Sequence, residues 1–372
     1  MSVLDETGRY APSAAAERYL PLIEAIGDAE LEQFYRDMVV IRAIDTQATN
    51  LQRQGQLALW PPSRGQEAAQ VGSGRAARAQ DTIFPSYREH AVTRIRGVDP
   101  LDIIKLMRGV SHGGWDPTDS KNGNTRLYTL VLGSQVLHAA GYGMGLAFDG
   151  RTGTGALDRD EAVIVYYGDG ASSQGDVHEA MVFAASYQAP TVFFLQNNHW
   201  AISVPVSTQS RVPLVQRSAG YGIPSVRVDG NDVLASYAVS RVALDDARSG
   251  GGPQAIEAVT YRLGAHTTSD DPTKYRGSDE EQYWAGRDPI VRMRAFLEGR
   301  GASAQLFADV EAEAADAAED LRARTVELGP PSPDKMFDHV YSEPHPLIDQ
   351  QKAWRARYEA SFENASVEGG VR

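Results

Sequence analysis

Gly168-Asp169-Gly170 and Asn197-Asn198, separated by twenty-six residues, are the part of this chain whose residue types and spacing could do chemistry. A carboxylate and a carboxamide oxygen, beside a glycine turn and a helix start, suit a hard cation that bridges to phosphate. Mg²⁺ takes about six oxygens, commonly few from protein and the rest from phosphates and water. A helix amino end adds N–H donors and a positive partial charge for the same phosphates. A lone Gly-Asp-Gly reads equally well as a turn capping a Rossmann-like helix. The pair at this spacing is far more specific.

The elements around the pair explain how it would be held. Residues 162–167 are a short apolar, β-branched run of buried-strand type. Residues 175–187 read as a helix with Val177, Ala180, Met181, Ala184 and Ala185 on one face. Ala189-Pro190 ends it, and 191–196 is a second β-rich run. A helical crossover of that length joins parallel strands, so Asp169 and Asn198 both follow carboxyl ends of strands, where open α/β sheets bind ligands.

Further along, 225–228 and 254–261 read as strands flanking a helix from Asn231 to about Arg248. Repeated strand–helix–strand units give an α/β fold with a doubly wound parallel sheet. Asp28 to Leu51 reads as a long amphipathic helix, Gln66 to Arg78 as a small-residue helix, and 127–132 as a strand. Residues 110–128 read as a mobile loop, 149–160 as a surface turn and 264–282 as loop. Gln135 to Phe148 and 283–326 read as helical, with the alanine- and acid-rich stretch 304–319 a solvated helix. Domain bounds follow: a loosely attached leader at 1–28, the main domain at 29–300, and a helical carboxyl-terminal extension at 301–372 that packs on that domain or on a partner.

Composition removes whole classes. With 36 Lys+Arg against 49 Asp+Glu the net charge is -13, which argues against nucleic acid as partner. There are no cysteines, so disulfides, thiolate catalysis and cysteine-held metals are excluded. No secretory signal and no apolar run of about eighteen residues is visible, so the expectation is a cytoplasmic protein without a membrane span.

Three ordered motifs give a family resemblance. They are Gly168 to Ala180, Gln196 to Ser203 (QNNHWAIS), and Gly264 to Arg276 (GAHTTSDDPTKYR). The first two resemble the thiamine-diphosphate signature, and all three look like alpha subunits of heterotetrameric 2-oxo acid dehydrogenases. Arg64-Gly65-Gln66-Glu67 and Tyr221-Gly222-Ile223-Pro224 support this, and the similarity runs from about residue 30 to 300. Branched-chain (2-oxoisovalerate) enzymes look nearest, with pyruvate enzymes close behind.

The resemblance implies the thiamine-diphosphate-binding fold and roles for particular residues. Asp169 and Asn198 would be side-chain Mg²⁺ ligands, with the Trp200 carbonyl completing the set. Gly170 and Ala171 would contact the diphosphate through their backbone, and Tyr87 and Arg88 would hold it from the other side. The planar fork of Arg88 suits phosphate oxygens. Leu130 and Leu132 would touch the cofactor's central region and pyrimidine. His266, on a loop after a strand edge, would be the catalytic histidine, able to bond cofactor or substrate oxygen near neutral pH; the alternative is a loop histidine bonded to Asp270 or Asp271. His178 and His199 read as structural, His90 and His112 as weaker site candidates, and His138, His339 and His345 carry no case.

Thr129, Val131, Ser134 and Gln135 align with a potassium site of some relatives. Gln196 stands where branched-chain relatives can have an arginine, which leaves the substrate open. The implied reaction is decarboxylation of a small 2-oxo acid with acyl transfer to the lipoyl group of a dihydrolipoyl acyltransferase. A beta subunit in an α2β2 heterotetramer would supply the rest of the site. A chain of 372 residues has no room for a second full cofactor domain. The rivals are a self-contained thiamine-diphosphate enzyme, and a nucleotide-binding regulatory subunit, for which there is neither a Walker loop nor a GxGxxG after a strand.

Overall fold

The computed structural model describes residues 1–111, 113–156, 158–330, 333–338 and 340–368. Its centre is a five-stranded, all-parallel sheet. In spatial order the strands are Thr82–Phe84, Val163–Gly168, Thr191–Asn197, Gln254–Val259 and Ser225–Asp229. The register sets Gly168 beside Gln196 and Asn197 beside Val259. The strand ends that carry the sequence motifs therefore share one edge.

Alternation along the two central strands builds two cores. Ile164, Tyr166, Val192 and Phe194 enter one, with the helices Asp28–Arg53, Glu67–Ala76 and Val233–Asp246. Val163, Val165, Tyr167, Phe193 and Leu195 enter the other, under Ser134–Phe148 and Gly175–Tyr187. Helices cover both faces, so the strands are apolar on both sides, as in doubly wound sheets. Among the described residues no helix is long and apolar enough to cross a membrane.

Two expectations fail here. The leader is not loose: Val3, Leu4, Ala16 and Tyr19 are buried. Val3 and Leu4 N–H groups donate to Asp232 Oδ2 at 2.6 and 2.7 Å, and the terminal ammonium donates to the Arg227 carbonyl at 3.0 Å. Alanine and small polar residues suggested a free segment, yet the buried Asp232 carboxylate needs those backbone donors. Residues 127–132 are also not a strand. The chain beside Thr82–Phe84 pairs only through an isolated bridge, Ile83 to Thr125, and then leaves the sheet edge. Leu130 and Val131 are 56% and 72% exposed, so the alternating pattern marks a surface, not a core.

Residues 110–128 hold little regular structure beyond a turn at Ser120–Asn122, and are tied inward by Trp115, whose Nε1 donates to the Thr125 carbonyl at 3.0 Å. The helix Ala304–Glu327 is only half solvated. Phe307, Val310, Ala314 and Leu321 join the same core as Leu31 and Phe34, so that core continues past residue 300. His112 and His339 lie outside the described residues.

Arg248 is fully buried and paired with Asp81 and Asp245. Asp81 also accepts from the Arg78 and Ala162 N–H groups, fastening the start of two strands. Removing the guanidinium leaves a buried carboxylate uncompensated, so Arg248→Ala is expected to cost about 3–5 kcal/mol in urea denaturation. A loss below about 1 kcal/mol would contradict this reading of the pair.

Candidate active site

The carboxyl-terminal edge of four neighbouring strands supplies the site. Tyr87 and Arg88 follow Thr82–Phe84, Asp169 follows Val163–Gly168, Asn198 follows Thr191–Asn197, and His266 lies beyond Gln254–Val259. A cavity of ≈ 160 Å³ at this edge is lined by Tyr87, Arg88, Leu132, Asp169, Gly170, Ala171, Asn198, Trp200 and His266. Of the expected site residues only Leu130 is not among its walls. A cavity of ≈ 750 Å³ between Thr7–Tyr10, Ile23 and Phe296 is larger, but no strand end opens into it. Size is a poorer guide than convergent polar groups.

Asp169 is 1% exposed, and burial pushes its carboxyl above the usual range, opposed by a hydrogen bond from Gln209 Nε2 at 2.8 Å. The amide oxygen of Asn198 faces it. As oriented, that atom lies 3.2 Å from Asp169 Oδ1 and 3.1 Å from the Trp200 carbonyl oxygen, and it accepts the Trp200 N–H at 3.3 Å. Turned over, the same amide would donate to both. Spacings of this size match the edge between oxygens that sit about 2.1 Å from an octahedral ion, roughly 3 Å. Among the described residues no group of three or more His, Asp or Glu is arranged to hold a metal ion. One carboxylate, one amide and one carbonyl form an all-oxygen set, suited to Mg²⁺ and not to zinc.

The Trp200 carbonyl is aimed by its neighbours. His199 and Ile202 have φ of 72 and 56, the left-handed region that β-branched side chains rarely adopt. Such strain persists where surrounding structure over-determines it. Arg262 does this, donating to the Trp200 carbonyl at 3.0 Å and to the Ile202 carbonyl at 2.7 Å. Gly170 sits under the same loop. A Cβ there would meet Ala201 Cβ at 2.8 Å. Gly170→Ala is therefore expected to destabilise by about 1–3 kcal/mol through overpacking, and an unchanged urea midpoint would show that Ala201 yields freely.

Arg88 is buried and donates to the carbonyls of Pro62 and, at 2.9 Å, His266. Tyr87 meets the His266 ring edge to face at 6.3 Å. His266 Nδ1 faces Arg262 Nη1 at 3.2 Å and Arg88 Nη2 at 3.4 Å. Two guanidiniums make Nδ1 an acceptor, so the ring proton belongs on Nε2. Burial and the two arginines lower the imidazole to about 3, and it is neutral at pH 7. Asp270 does not bond the ring; its Oδ2 accepts from the His266 backbone N–H at 2.8 Å. The alternative of a loop histidine whose ring bonds Asp270 is therefore not what the structure shows; the ring faces two arginines as a neutral donor.

Glu89, Gln66 and Arg262 are pocket residues to which the sequence assigned no role. Glu89 is fully buried and accepts from Gln196 Nε2 at 2.5 Å, while Gln196 Oε1, Gln135 Oε1 and Gln66 Nε2 are buried without partners. Such unpaired polar atoms in a pocket wall mark where a ligand completes the hydrogen bonding. Glu89 directly follows Tyr87-Arg88, and Gln66 lies in the Arg64–Glu67 motif, so adjacency was the available signal. Arg262 follows the strand Gln254–Val259, a position the strand-edge rule would have flagged. His199, held near about 4 by burial, packs on Trp284 and Tyr261 as a structural ring. His90 is likewise internal, stacked on Trp60 at 4.3 Å and bonded to the Tyr128 hydroxyl at 2.9 Å.

Comparison with known proteins agrees with this geometry. The chain is 46% identical over 324 residues to the 3-methyl-2-oxobutanoate dehydrogenase subunit alpha of Mycobacterium tuberculosis, covering 87% of this chain and 85% of that protein. It is 38% identical over 303 residues to the pyruvate dehydrogenase E1 component subunit alpha of Bacillus cereus, covering 81% and 77%, and equally so to that of Staphylococcus aureus. Residues 35–325, which carry every strand of the sheet and every wall of the pocket, match the dehydrogenase E1 component family. The chain belongs to the dehydrogenase E1 component family.

Proposed function

We propose that this chain is the alpha subunit of a thiamine-diphosphate- and Mg²⁺-dependent 2-oxo acid dehydrogenase, acting on branched-chain 2-oxo acids and passing the acyl group to a lipoyl-bearing acyltransferase. The observation that carries the reading is the convergence of the Asp169 carboxylate, the Asn198 amide and Trp200 on one pocket with unpaired polar walls. The 46% identity to a 3-methyl-2-oxobutanoate dehydrogenase subunit favours the branched-chain substrate over pyruvate, whose relatives stand at 38%. The alternative is a pyruvate dehydrogenase alpha subunit.

The residues fit that cofactor. Asp169, Asn198 and the Trp200 carbonyl would hold Mg²⁺, with Gly170, Ala171, Tyr87 and Arg88 around the diphosphate and Leu132 against the organic part. When bound, thiamine diphosphate supplies the electron sink for decarboxylation. His266 Nε2–H would donate to the substrate oxygen, and Arg88 and Arg262 keep that proton on Nε2. At the potassium positions Thr129, Val131, Ser134 and Gln135, the Gln135 Oε1 is unpaired, but the Val131 carbonyl already accepts from Ser134 Oγ at 3.0 Å.

A beta subunit would complete the site. Leu132, a wall of the pocket, and Leu130, outside it, are 39% and 56% exposed. An α2β2 assembly in the cytoplasm follows by analogy with the alpha-subunit relatives. The test is Mg²⁺-dependent binding of thiamine diphosphate against ATP and NAD with a beta partner present, followed by kcat/KM for 2-oxoisovalerate and pyruvate. The lone chain is expected to be inactive, the assembly to prefer 2-oxoisovalerate. Turnover by the lone chain would refute the shared site, and preference for pyruvate would select the alternative.

A further inference from the structure

Behind the segment that carries His266 lies a second cavity, of ≈ 270 Å³, which the reading above does not use. The segment is its shared wall: His266 faces the first pocket, while Ala265, Thr268 and Asp270 face this one. Thr268 pins the segment to the helix side, its N–H donating to the Trp60 carbonyl at 2.9 Å and its Oγ1 accepting the Trp60 N–H at 3.0 Å. Asn50 and Arg53, at the end of the helix Asp28–Arg53, and Arg64 form the outer rim.

Arg53 and Arg64 are both exposed, and among the described residues neither guanidinium has a hydrogen bond, ion pair or ring contact. Arg159, Arg211 and Arg357 are likewise exposed and unpaired, whereas Arg53 and Arg64 together line one cavity. The cavity's own carboxylates do not answer them. Asp45 Oδ1 accepts from Trp60 Nε1 at 2.9 Å and the Ser63 N–H at 3.0 Å, and Asp270 Oδ2 from the His266 N–H at 2.8 Å. Arg88 and Arg262 act electrostatically on these two acids from the pocket side. The cavity thus carries two unpaired guanidiniums at its rim, while its two carboxylates are bonded to groups of its inner wall.

Guanidinium forks suit the oxygens of a phosphoryl group, which can take several donors at once. We propose that this cavity binds a small phosphate monoester through Arg53 and Arg64, and that its occupancy fixes the segment carrying His266. Binding stands apart from the function proposed above; its effect on turnover rests on that function.

The test uses the assembled enzyme saturated with thiamine diphosphate and Mg²⁺, so that the first pocket is closed to the probe. Inorganic phosphate is compared with chloride and with succinate at equal ionic strength, reading melting temperature and proteolysis within 264–282. Phosphate is expected to raise the melting temperature by on the order of 2 °C and to slow cleavage. In Arg53→Gln/Arg64→Gln it should do neither. Arg64→Gln alone gives the same reading if the double variant melts early. Equal responses in wild type and variant, no response in wild type, or an equal response to succinate would each overturn the proposal. Since neither arginine lines the first pocket, a failure here leaves the cofactor assignment untouched, and the arginine dependence is readable even if that assignment fails.

Discussion

Replacing Asp169 by alanine is expected to abolish Mg²⁺-dependent binding of thiamine diphosphate, lowering affinity by roughly 10³-fold or more. Groups that only orient a metal ligand cost 10–100-fold when removed, and a charged direct ligand exceeds them. Asp169 is the one carboxylate of the oxygen trio. Asp169→Asn keeps the volume and one oxygen and should fall between. The fold should survive, because burial already disfavours this ionised carboxyl. Isothermal titration of cofactor with and without Mg²⁺ reads the effect directly. An affinity within tenfold of wild type would remove Asp169 from the metal site.

His266→Ala is expected to lower kcat by roughly 10²- to 10⁴-fold, the range for a positioned proton donor, while cofactor affinity changes far less. The split separates a group that meets the substrate from one that holds the cofactor. Its pH behaviour follows from burial and from Arg88 and Arg262, which bring the imidazole to about 3. Between that value and about 6.5 the unfolded chain binds a proton that the folded one refuses. Stability from this group is therefore complete above about pH 6.5 and is lost as pH falls toward the folded value. Within that window His266→Ala should flatten the acid side of the stability profile. A wild-type kcat that titrates near 6.5 and loses that step in the variant would show a charged imidazole at work.

Legibility from sequence followed locality. Asp169 and Asn198 were readable because each lies next to its own strand end, and one crossover of fixed length places both on one edge. The helix Gly175–Tyr187 was readable for the same reason, from its spacing and the Ala189-Pro190 stop. Residues whose role comes from distant partners were not. Arg262 acquires its function only when the loop 199–202 folds back over it, and Gln209 only when it reaches Asp169. The leader was misjudged because its composition carries no sign of Asp232, more than two hundred residues away. Leu127 to Leu132 has the alternation of a buried strand, and nothing local distinguishes a face meant for the core from one left for another chain. Family resemblance reached further than physics for Tyr87, Arg88 and His266, and the structure brings all three to the pocket. It gave Leu130 a place the chain alone does not.

A crystal structure of the assembled enzyme with thiamine diphosphate and Mg²⁺ tests the central claim most directly. The account predicts one ion between the cofactor's phosphates and three oxygens of this chain, those of Asp169, Asn198 and the Trp200 carbonyl, each at about 2.1 Å. An ion bound elsewhere, or an Asn198 amide that turns its nitrogen to Asp169 with the cofactor in place, would contradict it.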